Sequence, residues 1–206
     1  MHLRLRLASN RNFPPDFERV LAFYRQNAHK YVREREPEVL EAAIDRASLI
    51  IAEDEGGRIQ GSCAQITHSD GLYSETGAVR ILVNGFGLQA ILMGICAFNE
   101  YIFSPPSKYI FAITAADNYP SIKNIERAGF LHDQPEASVL AAIGRKEGFP
   151  PDKRFFRFDP TKARAVRERL LQLAVNRELR RGDTKITFTL DHPLFRREIL
   201  NLLEQI

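Results

Sequence analysis

AVRILVNGFGLQAILMGICAFNEYIF, residues 78–103, and KYIFAITAADNYPSIKNIERAGF, residues 108–130, carry the reading of the whole chain. Ala78 to Val83 is an apolar, β-branched run and reads as a strand. A turn with Gly85 and Gly87 follows, and an apolar helix opens near Leu88. Glycines at such a turn let the backbone bend sharply and leave amide N–H groups uncovered at a helix N-terminus. Unpaired donors and the helix dipole favour an anion there, so a phosphate-bearing ligand is expected at this loop. Gly85 to Ala90 also spells G-x-G-x-x-A, the dinucleotide fingerprint, after a strand and before a helix.

The second piece separates the readings. Asn84-Gly85-Phe86-Gly87-Leu88-Gln89 resembles the pyrophosphate loop of the GNAT superfamily of N-acyltransferases, roughly Arg/Gln-x-x-Gly-x-Gly/Ala. Asn84 takes the Arg-like place, Gly85 and Gly87 fall in register, and Gln89 replaces the final Gly or Ala. After the strand Tyr109 to Thr114, Asn118-Tyr119-Pro120-Ser121 and Glu126-Arg127-Ala128-Gly129-Phe130 resemble the same family's N-x-x-S/A…E-K-x-G-F segment. There the Asn and the following helix flank the pantetheine arm of acyl-coenzyme A. Two motifs in the right order are more specific than either alone. A dinucleotide-binding oxidoreductase needs further βα units after the fingerprint and leaves the α and β material before it unexplained.

The resemblance implies an α/β fold with a GNAT-like mixed, mostly antiparallel central sheet flanked by helices over residues 1–159. A small helix-strand-helix extension over 160–206 is expected to pack on the core or on a second subunit, the latter giving a homodimer. It also implies an acyltransferase, with acetyl-coenzyme A or another acyl-coenzyme A as co-substrate and an amine, on a small molecule or a protein, as acceptor. Ile81, Leu82 and Val83 would polarise the thioester carbonyl through a backbone N–H. Asn84, Gly85, Phe86, Gly87, Leu88, Gln89 and Ala90 would hold the pyrophosphate, with Asn118 and Ser121 beside the arm. Many relatives carry a tyrosine ahead of the Gly-Phe pair as acid toward the thiolate, and here Ile125 stands in its place. Glu75, as base, and Tyr119 are the catalytic candidates, and His68 is named beside them because histidine is the side chain whose unperturbed pKa suits a base. The alternative is a degenerate member that binds acyl-coenzyme A or a protein partner without turnover, favoured by Ile125 and Gln89.

Composition sets the outer bounds. The 206 residues are 44% hydrophobic and 27% charged, ordinary for one globular domain with an appendage. A formal charge of +3 is too small a surplus to imply nucleic acid, though it suits a polyanionic ligand. Cys63 and Cys96 are far apart, so neither a disulfide framework nor a metal spacing is offered. MHLRLRLASN lacks the apolar core of a signal peptide, no run of about eighteen apolar residues occurs, and a cytoplasmic setting without membrane contact is expected.

In chain order, Leu3, Leu5 and Leu7 alternate with Arg4 and Arg6 as in a half-buried strand. Phe17, Val20, Leu21 and Tyr24 mark a first helix, and Val39, Leu40, Ala43 and Ile44 a second. In the family the region between such helices lines the acceptor site, which singles out Arg33 and Arg35, although a solvated charged face explains them as well. Ser48 to Glu53 and Arg58 to Thr67 read as strands joined by the turn Asp54-Glu55-Gly56-Gly57. Asp70 to Gly77 reads as a loop. Beyond Phe130, Ala137 to Arg145 reads as a short helix, Arg154 to Phe158 as a strand, and Thr161 to Arg181 as one amphipathic helix stopped by Gly182-Asp183. Lys185 to Leu190 follows as a strand and Pro193 to Gln205 as a last helix.

Overall fold

The computed structural model describes the chain except residues 13, 29–30, 32–33, 69–70, 106–107, 146, 194 and 196–206. Along it run β1 (His2–Leu7), α1 (Asp16–Gln26), α2 (Pro37–Asp45), β2 (Leu49–Asp54), β3 (Ile59–Thr67) and β4 (Tyr73–Ile81). Then come α3 (Leu88–Phe103), β5 (Tyr109–Ala115), α4 (Tyr119–Arg127), β6 (Phe130–Asp133), α5 (Ala137–Ala142) and β7 (Lys153–Phe158). The chain continues with α6 (Ala163–Asn176), β8 (Glu178–Arg181) and β9 (Thr184–Asp191). The strands form one sheet in the order β6-β7-β5-β4-β3-β2-β1-β9-β8. Among the described strands, β4–β5 and β1–β9 are the parallel pairs. This is the mixed, mostly antiparallel sheet that the sequence implies, and it is not the doubly wound parallel sheet of a dinucleotide fold.

Helices cover both faces. On one, Val20 and Phe23 of α1 and Leu40, Ala43 and Ile44 of α2 close over Leu49, Ile51 and Ala64. On the other, α3 is the central helix, and its Ile91, Leu92, Ile95 and Phe98 meet residues of α4, α6 and β9 in the larger core. A buried ion network fixes α1 to the strands beneath it. Arg6 reaches Asp16 at 2.6 Å and Glu53 at 2.7 Å, and Arg19 reaches the same two carboxylates at 2.6 and 3.0 Å.

One irregularity shapes the sheet. β4 and β5 pair only from Tyr73–Tyr109 to Glu75–Phe111, and then part. On the other side of β4, the pairing with β3 shifts between Ser62 and Ala64, and Ala78 stands at φ 48°. A bulge bends its strand and raises the local twist, and here it accompanies the opening of a gap between two neighbouring strands.

Several boundaries differ from the sequence expectations. β4 begins at Tyr73, not Ala78, so Glu75 sits inside the strand. The polar run is buried in the sheet because its side chains satisfy one another: Gln65 donates to Ser74 Oγ at 2.9 Å and accepts from Thr76 Oγ1 at 2.6 Å. Leu82 and Val83 lie beyond the strand end. The helix expected over Thr161 to Arg181 stops at Asn176, where Arg177 turns left-handed at φ 55°. Glu178–Arg181 pairs with Thr184–Thr187 instead, which makes Gly182-Asp183 a hairpin turn. The short strand Phe130–Asp133 carried no alternation to announce it. β9 lies parallel to β1, with His2–Arg6 opposite Thr187–Asp191, so this part of the chain extends its own sheet. Most of the helix expected over Pro193 to Gln205 lies outside the described residues, as does Arg33. Among the described residues no helix is long and apolar enough to cross a membrane.

Candidate active site

The parting of β4 and β5 opens a cleft of about 950 Å³. Its walls hold Glu75 and Thr76 through Ile81 from β4 with Leu82 just beyond it, Ile113 to Ala115 from β5, Asn84 and Gln89 from the glycine loop and α3, and Asn118, Ser121 and Ile125 around α4. Residues expected to act together from two motifs thus share one cavity.

At its far end the glycine loop turns into α3. Gly85 has φ 88° and Gly87 φ 74°, a region where a Cβ is costly. No side chain caps α3, so the donors of its first turn face outward. Leu88 and Ala90 are buried core anchors that position this turn, and Val83 packs against the same core. Gln89, at the place of a family glycine or alanine, has a structural task. It donates to Ser121 Oγ at 2.8 Å and accepts from Asn124 at 3.3 Å, holding the starts of α3 and α4 together.

The loop also meets residues that its sequence motif does not foretell. Gly85, Phe86 and Gly87 line a second cavity of about 610 Å³ together with Arg127, Arg169 and Arg180. A Cβ on Gly85 would lie 2.6 Å from Arg181 Cδ, so that side chain lies flat on the glycine. Arg181 Nη1 donates to the Asn84 carbonyl at 3.5 Å. Arg169 donates to the Arg127 carbonyl at 2.7 Å, and burial, then the charge of Arg127, holds its pKa below the ordinary guanidinium value. Four arginines therefore surround an uncapped helix start. Nothing in the local pattern around Gly85 could have found residues so far along the chain.

Asn118 is the N-cap of α4, its Oδ1 accepting from the Ser121 amide at 3.4 Å, and it lines the cleft. Tyr119 is 68% exposed, projecting to solvent from the first turn rather than into the cleft. Ile125 is buried and gives the cleft an apolar wall at the place named for it from the sequence. Of the backbone donors expected at Ile81, Leu82 and Val83, Leu82 is already engaged, giving its N–H to the Gln60 carbonyl at 2.8 Å. Alternation along a strand then turns the Ile81 and Val79 amides toward the gap.

The near end of the cleft is polar. Arg35 Nη2 donates to Glu75 Oε1. His68 Nε2 lies 3.8 Å from the other carboxylate oxygen, with its ring stacked on Phe111 at 5.6 Å. Glu75, His68 and Arg35 thus come together. Arg80, buried on the same strand, lines the cleft as well. The sequence held a signal for it, since it is the lone charge in the run Ala78 to Val83.

No protein-family model matches the sequence, and a search of the curated proteins returns none that is similar. Solved structures do resemble the fold. A phosphinothricin acetyltransferase of the GNAT superfamily from Sinorhizobium meliloti, in complex with AcCoA, superposes with a TM-score of 0.54 at 15% identity, over 76% of this chain and 88% of its own. A putative GnaT-family acetyltransferase from Bordetella pertussis gives 0.51 at 17% identity, over 75% and 94%. A putative phosphinothricin N-acetyltransferase gives 0.50 at 23% identity, over 76% and 98%. The chain has the GNAT fold.

Proposed function

We propose that the chain is an acyl-coenzyme A-dependent N-acyltransferase that acts by direct transfer in a ternary complex. The observation that carries this reading is the gap between β4 and β5, which runs from a buried carboxylate, Glu75, to the uncapped start of α3. The first-turn amides and Arg181 suit a pyrophosphate, since charge-assisted bonds to several N–H groups are strong. Asn118 and Ser121 border the path of the pantetheine arm. Amides on the open edge of β4, Ile81 and Val79, are placed to donate to a thioester oxygen as negative charge develops on it.

In the transfer, the neutral amine nitrogen attacks the thioester carbonyl carbon, a C–N bond forms, the C–S bond breaks, and the leaving thiolate takes up the proton that the nitrogen sheds after its attack. Glu75, directly or through a water, accepts the proton that the ammonium must lose. Holding both reactants beside one strand supplies proximity. Tyr119 has no place in this scheme while its side chain faces solvent.

The test is to mix the chain with acetyl-coenzyme A and a panel of small amines and peptides and to follow free thiol. Release that depends on the amine, and that falls by about 100-fold or more in Glu75→Gln, supports the reading. A chain that binds acetyl-coenzyme A and releases none with any amine is a binding module. Ile125 in place of an acid is the observation that favours this second reading.

A further inference from the structure

Arg80 is 7% exposed and its Nε and Nη1 atoms have no hydrogen-bond acceptor among the described residues. It makes no ion pair there either. Its neighbour is the ring of Tyr24 in α1, whose centroid lies 5.9 Å from the guanidinium carbon. The Tyr24 hydroxyl is occupied, donating to the Ala78 carbonyl and meeting Ser62 Oγ at 3.1 Å. Other arginines buried near this face have counter-ions: Arg6 and Arg19 share Asp16 and Glu53, and Arg35 holds Glu75. Burial of the uncompensated charge draws the Arg80 pKa below its ordinary value.

A desolvated cation without a partner is costly, and a well-packed apolar side chain in its place would be easier to fold. Arg80 also occupies a wall common to two cavities, the cleft and a space of about 650 Å³ bordered by Tyr24, Arg25 and Arg35. Arg35 Nε is a second buried donor without an acceptor in this space. Both arginines lie on the α1–α2 side of β4, whereas α3, with the glycine loop at its start, packs on the opposite side. The missing anion therefore belongs to the acceptor and not to the acyl donor.

We infer that the acceptor amine carries a carboxylate and that Arg80, supported by Arg35, binds it. The inference rests on the acyltransferase reading and narrows it. The uncompensated charge of Arg80 also disfavours acceptors that bring only further positive charge.

The experiment compares matched pairs: ornithine with putrescine, lysine with cadaverine, and phenylalanine with phenethylamine. Calorimetry measures their binding to the chain saturated with coenzyme A, and thiol release from acetyl-coenzyme A is followed separately. At least one carboxylate-bearing member should bind about 10- to 100-fold more tightly than its partner, the range of a charge-assisted hydrogen bond. Arg80→Gln should bring that ratio close to one while acetyl-coenzyme A affinity holds. Arg80→Met, which fills the space without the charge, should lose the ratio and raise Tm.

Equal binding within every pair, tighter binding of the decarboxylated members, or no binding of any of the six at millimolar concentration overturns the inference. So does a fall in Tm for Arg80→Met, which would make Arg80 a packing residue. A ratio that is present without any thiol release leaves the carboxylate site standing and sinks the acyltransferase reading instead. Release without a ratio does the reverse.

Discussion

Asn118 does two things with one side chain. Its Oδ1 caps α4, and the residue also lines the cleft, where the proposed function has its amide nitrogen meet the donor's arm. The two tasks separate under substitution. Asn118→Asp keeps the capping oxygen and removes the donor, so Tm should hold while KM for acetyl-coenzyme A rises. Asn118→Ala should lose both, at about 1 kcal/mol of stability. A Tm loss with unchanged kinetics in Asn118→Ala would make the residue a cap alone. Gly87 tests the loop from the other side. A Cβ there meets nothing within 4 Å, so Gly87→Val produces no clash in the free chain, and its φ of 74° is what a β-branched residue resists. That strain is of order 1–3 kcal/mol, and the added methyls also screen the amides. Calorimetry should show acetyl-coenzyme A affinity reduced about tenfold or more in the folded variant, and unchanged affinity would remove the loop from the site. At this scale the motif residues were legible because glycine and a capping asparagine have local reasons to stand where they do. The candidate base Glu75 falls in a stretch that reads as a loop, because its strand is stabilised by Gln65 on a neighbouring strand, a contact that no local pattern reveals.

Elements were read well where one period runs through them and poorly where tertiary contacts override propensity. The alternation of Leu3, Leu5 and Leu7 and the apolar face of α3 are long and clean, and both were legible. Glu178-Leu179-Arg180-Arg181 reads as helix on propensity, yet it forms β8 because β9 offers it a partner across a tight turn whose Gly182 has φ 55°. That switch from helix to hairpin matters for the site, since it lays Arg181 on Gly85. Arg181→Ala should therefore raise KM for the acyl donor about 5- to 20-fold and leave KM for the amine unchanged, and equal effects on both would sever the hairpin from the donor site. Just after β9, the rings of His192 and Phe195 meet, and the Phe195 ring lies 5.9 Å from that of Phe98 in α3. Burial lowers the His192 pKa from 6.5 to about 4, with the charge of Asp191 acting weakly against it. The unfolded chain takes up a proton near pH 6.5 that the folded chain refuses until near pH 4. Stability is therefore full above pH 6.5 and falls through that window, by roughly 3 kcal/mol in all. Denaturant melts at pH 7 and pH 4.5 should show this loss, and His192→Leu should reduce it. A wild-type curve equally steep with the leucine in place would assign the acid sensitivity elsewhere.

Across the whole molecule, the residues after Pro160 share the core with those before it. Val166, Leu170, Leu171, Leu179, Ile186, Phe188 and Phe195 belong to the same apolar cluster as Leu3, Leu5 and the inner face of α3. Each fully buried side chain of this kind contributes roughly 1.5–3 kcal/mol, a sum comparable with the entire net stability of a domain, about 5–15 kcal/mol. β9 also covers the hydrogen-bonding edge of β1, which would otherwise present a strand with a buried leucine face to other chains. At this end of the described sheet the outermost strand is β8, which is short and carries Arg180 and Arg181, features that discourage pairing. A chain ending at Pro160 is thus expected to lose the cover of β1 and of α3 together. Size-exclusion chromatography with light scattering should find it aggregated, and it should bind acetyl-coenzyme A weakly even where it is recovered, because Arg169 and Arg181 are gone. A soluble, monodisperse truncation with the Tm of the full chain would mean that the sheet through β7 is self-sufficient and that the later strands are an appendage; retained donor affinity would further mean that these arginines are bystanders at the glycine loop.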